Sequence, residues 1–318
     1  MFLKFIKQIV FLFMAVFGTL GNISISVNYM SSWCRGPEKK PIHLILIHLA
    51  FTNIIILLAK GLPKTMVTFG LRNFLDDIGC KIIVYLSRVA RGVSICTSGL
   101  LTVVQAIIIS PRTSGWRRLR PQSAWHILPI FSFFWILNAL IGMNLIHSIT
   151  SLNISQFKSE DGYCYFMLES QQTKWIVLPL MVLRDAVFQA AMGVASGYMV
   201  LLLHKHHQHV LYLQNSKLLY RTPPELRAAQ SVLILMLCFV FFYWADCAVS
   251  LFLSLSLAEK SLMPNVQKFL ALGYATFSPL VLIHRDGLLP ECCKKLRNSL
   301  SCFCSLTVEE LSLLQYCR

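Results

Sequence analysis

The sequence predicts an all-α membrane protein, a bundle of seven transmembrane helices with its N-terminus outside. Three observations carry this. The 318 residues are 56% hydrophobic and only 14% charged, where soluble domains carry roughly 25% charged residues. A soluble chain with a mean hydropathy of +0.62 has too little polar surface to face water. The apolar residues fall into seven runs, about 8–29, 42–66, 79–109, 124–147, 175–203, 229–257 and 264–284, each near the ~20 residues that span a hydrocarbon core of ~30 Å. The third observation is the placing of lysine and arginine. Loops after runs 1, 3 and 5 hold Arg35, Lys39, Lys40, Arg112, Arg117, Arg118, Arg120, Lys205, Lys217, Arg221 and Arg227, whereas loops after runs 2, 4 and 6 hold Arg72, Lys158, Lys174 and Lys260. Eleven against four puts the first set in the cytoplasm. The seven-helix unit is 1–290, and 291–318 is a short cytoplasmic tail.

Each run reads as helix because lipid offers no partner to unpaired backbone groups, and no alternating barrel pattern is present. Lys4 and Lys7 ahead of VFLFMAVFGTLG imitate a signal peptide, but the apolar stretch continues to Val27, long enough for a retained first helix. Run 2 carries His48 and Asn53, read as polar groups satisfied between helices, and ends in Lys60 and Lys64 on the outer side. Run 3, from Cys80 to Ser110-Pro111-Arg112, would span ~45 Å as a helix. Run 5 closes with His204, His206, His207 and His209 beside Lys205. That cluster reads as a basic juxtamembrane end rather than a metal tract, and no metal or cofactor is predicted. Run 7 is short and contains Gly273 and Pro279.

Two markers in the outer loops agree with the orientation. Asn153-Ile154-Ser155 is an N-glycosylation acceptor in the second outer loop. Of the eleven cysteines, Cys80 and Cys164 alone fall on the oxidising side, where a bond between them is permitted and would be worth ~2–4 kcal/mol. Past run 7, Cys292 and Cys293 suit palmitoylation at the inner leaflet, with reduced thiols as the even alternative.

The chemistry lies in mid-membrane charge. At 1.5 Å per residue, Arg88 and Arg91 sit ~12–17 Å below Cys80, Arg184 and Asp185 ~14–15 Å down run 5, and Asp246 ~16 Å down run 6. These five share one layer. Either arginine of run 3 can pair with Asp185 or Asp246 to lock runs 3, 5 and 6. Three arginines against two aspartates still leave surplus positive charge where it is costly unpaired. That points to an outward-opening cavity for an anionic or strongly polar ligand, with Tyr85, Phe188, Tyr243 and Trp244 as apolar walls.

Several classes are excluded. The +15 charge lies in short topogenic segments, not in a nucleic-acid footprint. No internal repeat or continuous polar path supports a transporter. There is no HExxH, GxSxG, P-loop or usefully spaced carboxylate pair, so no enzyme is expected.

The strings HLAFTN…KGLPKT (His48 to Thr65), RGVSICTSGLLTVVQAIIISPR (Arg91 to Arg112), LYLQNS (Leu211 to Ser216), PELRAAQSVLIL and YATFSPLVLI resemble the vomeronasal type-1 receptors, over about Gly18 to Ile283. The resemblance implies a G-protein-coupled, plasma-membrane pheromone receptor that detects small, including steroid-like, molecules. It implies coupling to an inhibitory heterotrimeric G protein. It further implies a Cys80–Cys164 disulfide, sugar on Asn153, and a G-protein-facing Ser110-Pro111-Arg112 where most rhodopsin-like receptors have Asp-Arg-Tyr. Ser278-Pro279-Leu280 and Asn53 depart from the rhodopsin-like pattern, which puts a sodium-linked switch in doubt. A bitter-taste-like receptor is the nearest alternative, and the Cys80/Cys164 pair argues against it.

Overall fold

The structure is a computed structural model that describes residues 2–35, 40–68, 77–111, 115, 124–146, 149–150, 165–166, 171–213, 224–255 and 263–285. Among them are seven α-helices: α1 (Phe2–Arg35), α2 (Pro41–Thr68), α3 (Asp77–Ile109), α4 (Leu128–Ile146), α5 (Gln171–Leu213), α6 (Pro224–Leu255) and α7 (Met263–Arg285). A 3-10 turn at Ala124–His126 leads into α4. Two short strands lie between α4 and α5, β1 (Ile149–Thr150) and β2 (Tyr165–Phe166). They pair antiparallel, Ile149 with Phe166 and Thr150 with Tyr165, and β1 lies against α3.

Polarity inside this bundle is the reverse of that in a soluble protein. Asn22, Asn53, Ser94, Thr97, Ser98, Gln105 and Asn138 are buried, while Phe13, Phe17, Leu20 and Val27 form an exposed apolar stripe on α1. Buried polar side chains between helices and apolar side chains outside are what lipid as a solvent selects. Among the described residues, α1, α2, α3 and α5 are long and apolar enough to cross a membrane, and α4, α6 and α7 carry shorter apolar stretches, Leu128–Met143, Val232–Asp246 and Leu272–Ile283.

The centre of the bundle is α3. Its apolar stretch is 78% buried, against 22% for that of α5, because α2, α4, α5 and α6 all pack on it. The main core joins Leu46, Val93, Leu101, Met192, Leu235 and Tyr274, from five helices.

Helix ends differ from the sequence reading where polar residues continue a helix beyond lipid. The 43 residues of α5 make it ~65 Å long, so the histidine tract lies on its inner extension. Pro224 opens α6, at the position where a missing N–H costs nothing. Both His48 and Asn53 prove to be satisfied. Trp135 Nε1 donates to His48 Nε2 at 3.0 Å, and Nδ1 meets Thr97 Oγ1 at 3.0 Å. The Thr97 proton goes to the Val93 carbonyl, so the imidazole proton is on Nδ1 and the ring bolts α2, α3 and α4 together. Asn53 reaches Ser278 at 3.0 Å and Asn22 at 3.4 Å, and accepts from Ser94 at 3.3 Å.

Candidate functional site

In the middle of the bundle α2 to α6 each contribute a polar group. The outer half of α3 turns Arg91 toward α6, where its Nη2 is 2.7 Å from Asp246 Oδ2. The same guanidinium stands over the Tyr243 ring, 5.6 Å from its centroid, a cation–π contact. Tyr243 and Asp246 are three residues apart and therefore neighbours on α6. Tyr243 also donates its hydroxyl to Asp185 Oδ2 at 2.6 Å. Asp185 is held by its neighbour Arg184 through Nε at 2.7 Å and Nη2 at 2.5 Å, and Arg184 Nη1 donates to Asn138 Oδ1 on α4. One chain of contacts thus runs α3–α6–α5–α4.

The backbone of α3 makes room for this chain. A Cβ on Gly92 would overlap both Asn138 Oδ1 and the Arg184 guanidinium, so glycine is required by close approach rather than by backbone conformation. Arg88, half-buried one turn from Arg91, lies within its electrostatic reach. Lys60 of α2 joins the layer, within electrostatic reach of Arg91, Asp246 and Arg88. Among the described residues the layer therefore holds four cations, Lys60, Arg88, Arg91 and Arg184, and two carboxylates, Asp185 and Asp246.

Below Arg91 is a cavity of about 40 Å³ lined by Arg91 and Ser94 of α3, Phe239, Phe242 and Tyr243 of α6, and Tyr274 of α7. That is room for a few waters, far less than the ~300–1,000 Å³ of a ligand-filled pocket. The walls are aromatic. Phe239 lies parallel to Tyr243 (6.1 Å, 12°) and edge-on to Tyr274 (4.7 Å, 88°), and Tyr274 shares a 3.0 Å hydroxyl pair with Ser98. A Cβ on Gly273 would enter the Phe242 ring, which sets the close α6–α7 approach.

Of the sequence-derived residues, Arg91, Arg184, Asp185, Asp246 and Tyr243 come together, with Arg88 beside them. Trp244 does not. It is 62% exposed on the face of α6 that carries exposed Leu237 and Phe241, pointing away from the bundle because the next residue along a helix is rotated by about 100°. Tyr85 and Phe188 are not cavity walls either. Tyr85 donates to the Ala139 carbonyl at 3.0 Å, and Phe188 packs edge-on to Phe134 at 5.5 Å, both turned to α4. Of the two aspartates open to run 3, Asp246 takes Arg91, whereas Asp185 is met by the adjacent Arg184.

At the inner end of α3, Ser110 is 3% exposed, its Oγ 2.9 Å from the Ala106 carbonyl and 3.1 Å from the Tyr198 hydroxyl of α5. Its side chain is therefore an interhelical tie rather than a surface group. Pro111 is exposed. Arg112, Asn153, Cys164, Cys292 and Cys293 lie outside the described residues, as does the side chain of Cys80. Sequence reasoning set Lys60 at the outer end of run 2 rather than in the layer, and missed Asn138, Phe239, Phe242 and Tyr274. Of those missed, Asn138 alone had a signal, being one of two amides, with Asn144, in an otherwise apolar run.

The vomeronasal organ pheromone receptor family matches residues 5–295. The chain belongs to that family. Vomeronasal type-1 receptor 4 of Homo sapiens is 35% identical over 276 residues, covering 85% of this chain and 91% of the relative. Vomeronasal type-1 receptor 2 of Homo sapiens is 33% identical over 294 residues, covering 90% and 74%. The fold of this vomeronasal receptor also resembles squid rhodopsin, with a TM-score of 0.65 at 15% identity, covering 86% of this chain and 75% of that one. The relatives are receptors, and the chain is a seven-helix membrane receptor rather than an enzyme.

Proposed function

We propose that this vomeronasal receptor binds a small extracellular chemosignal, of pheromone or steroid-like size, within the outer half of the bundle and activates an inhibitory-class heterotrimeric G protein at the plasma membrane. The observation that carries the reading is a charged layer joined to an aromatic cavity in a chain of this family. Its N-terminus is outside, Asn153 carries sugar, and Cys80 pairs with Cys164. Tyr243 and Asp246 hold α6 to α5 and α3. A ligand larger than the present ~40 Å³ enters only if α6 and α7 shift, so it binds the shifted bundle better. Such a ligand moves the population toward that state, and ~1–3 kcal/mol of differential affinity is enough. The basic inner loops then meet the G protein by charge complementarity.

Nucleotide exchange on a co-expressed inhibitory G protein, driven by a screen of small extracellular compounds, tests this. Stimulated exchange that falls further in Arg91→Leu than surface expression does is the expected result. Substrate flux without exchange, or loss of expression alone with Arg91→Leu and with the paired Arg91→Leu/Asp246→Leu, would refute the pocket.

A further inference from the structure

We infer that Lys60 is the side chain that receives the ligand's polar head, and that it selects a ligand with an anionic group over its neutral or cationic analogue. This rests on the receptor reading above and names the ligand chemistry of the same site.

Two of the other three cations in the layer, Arg91 and Arg184, are paired within it. Asp246 holds Arg91 at 2.7 Å, and Asp185 with Asn138 holds Arg184. Lys60 is half-buried, and among the described residues it makes no ion pair or hydrogen bond. Its electrostatic neighbours are two like charges, Arg91 and Arg88, and one carboxylate, Asp246, already engaged with Arg91. An ammonium in that setting is short of counter-charge, and the cost of leaving it so falls when an anion arrives.

Its position fits a head-group role. Ile56 of α2 lines the cavity, and Lys60 is four residues further on, so it stands over Ile56 on the same helix face, one turn toward the outside. Beneath are the aromatic side chains of Phe239, Phe242 and Tyr243. A flat apolar body would stack there while its acidic group met the ammonium above. Lysine suits this as a rotatable point charge rather than a planar fork.

The test uses the full-length receptor in phosphatidylcholine nanodiscs and three shape-matched probes: 2-naphthalenesulfonate, 2-naphthalenemethanol and 2-naphthylmethylammonium. A ligand that binds the folded state raises the unfolding temperature. The sulfonate is expected to raise it and the other two to leave it unchanged. Lys60→Met should weaken the apparent sulfonate affinity by about tenfold or more, as for loss of a hydrogen bond to a charged group, and Lys60→Arg should keep most of it. Without probe, Lys60→Met should unfold no earlier than wild type, since it relieves repulsion from Arg88 and Arg91. Equal shifts for sulfonate and alcohol, a full sulfonate shift in Lys60→Met, or a lower unfolding temperature of unliganded Lys60→Met would each overturn the assignment. G-protein nucleotide exchange is read separately. Its failure with every compound would sink the receptor reading while the binding result stood.

Discussion

Arg91 and Asp246 show why one substitution is a poor measure of a mid-bundle charge. The pair is 2.7 Å apart with side chains 31% and 9% exposed, so removing Arg91 strands the carboxylate of Asp246 in a buried place. Arg91→Leu or Asp246→Leu alone should cost about 3–5 kcal/mol, whereas the double replacement should recover most of it. Thermal unfolding of the three variants gives the coupling, and additive losses would mean that the pair is not a unit. Gly92→Leu should fail to reach the cell surface, because any side chain there displaces Asn138 and Arg184; surface labelling checks it. The charges themselves were legible in the sequence, since ionisable residues in apolar runs are rare. Their pairing was not. Asp185 is met by the adjacent Arg184 rather than by an arginine of α3, while the same guanidinium also reaches Asn138 on α4, and neither contact follows from depth along a single run.

Among the helices, α6 is tied to its neighbours through Tyr243 and Asp246. Tyr243 links it to α5 through Asp185 and carries the Arg91 guanidinium on its ring. Tyr243→Phe keeps the ring and deletes the hydroxyl, so it should lower stability by about 1–3 kcal/mol and raise ligand-independent nucleotide exchange. Unchanged exchange would show that this tie does not restrain α6. At the other end of α3, Ser110 and Tyr198 join α3 to α5, and Ser110→Ala should cost about 0.5–1.5 kcal/mol in an unfolding scan. Helix number and order were readable from hydropathy alone. Which side of α6 faced inward was not, because it is apolar around its whole circumference, and Trp244 therefore passed for a wall residue while Phe239 and Phe242 were overlooked.

For the whole molecule, orientation is the expectation that everything functional depends on. A tag placed before Met1 should be labelled on intact, unpermeabilised cells, and Asn153→Gln should abolish a glycosidase-sensitive shift in mobility. A tag reached only after permeabilisation would invert the cavity and the basic loops together. By itself the sequence determined the solvent, the seven-helix class and the layer in which charge is stored, since each follows from composition, run length or depth along a helix axis, and its motif strings carried the resemblance to the family. Tertiary structure alone decided which cation met which carboxylate, that Lys60 joined the layer from α2, and that the cavity is only about 40 Å³ in this conformation. Those outcomes depend on the rotation and spacing of one helix against another, which burial of interhelical side chains sets and hydropathy along a single run does not encode.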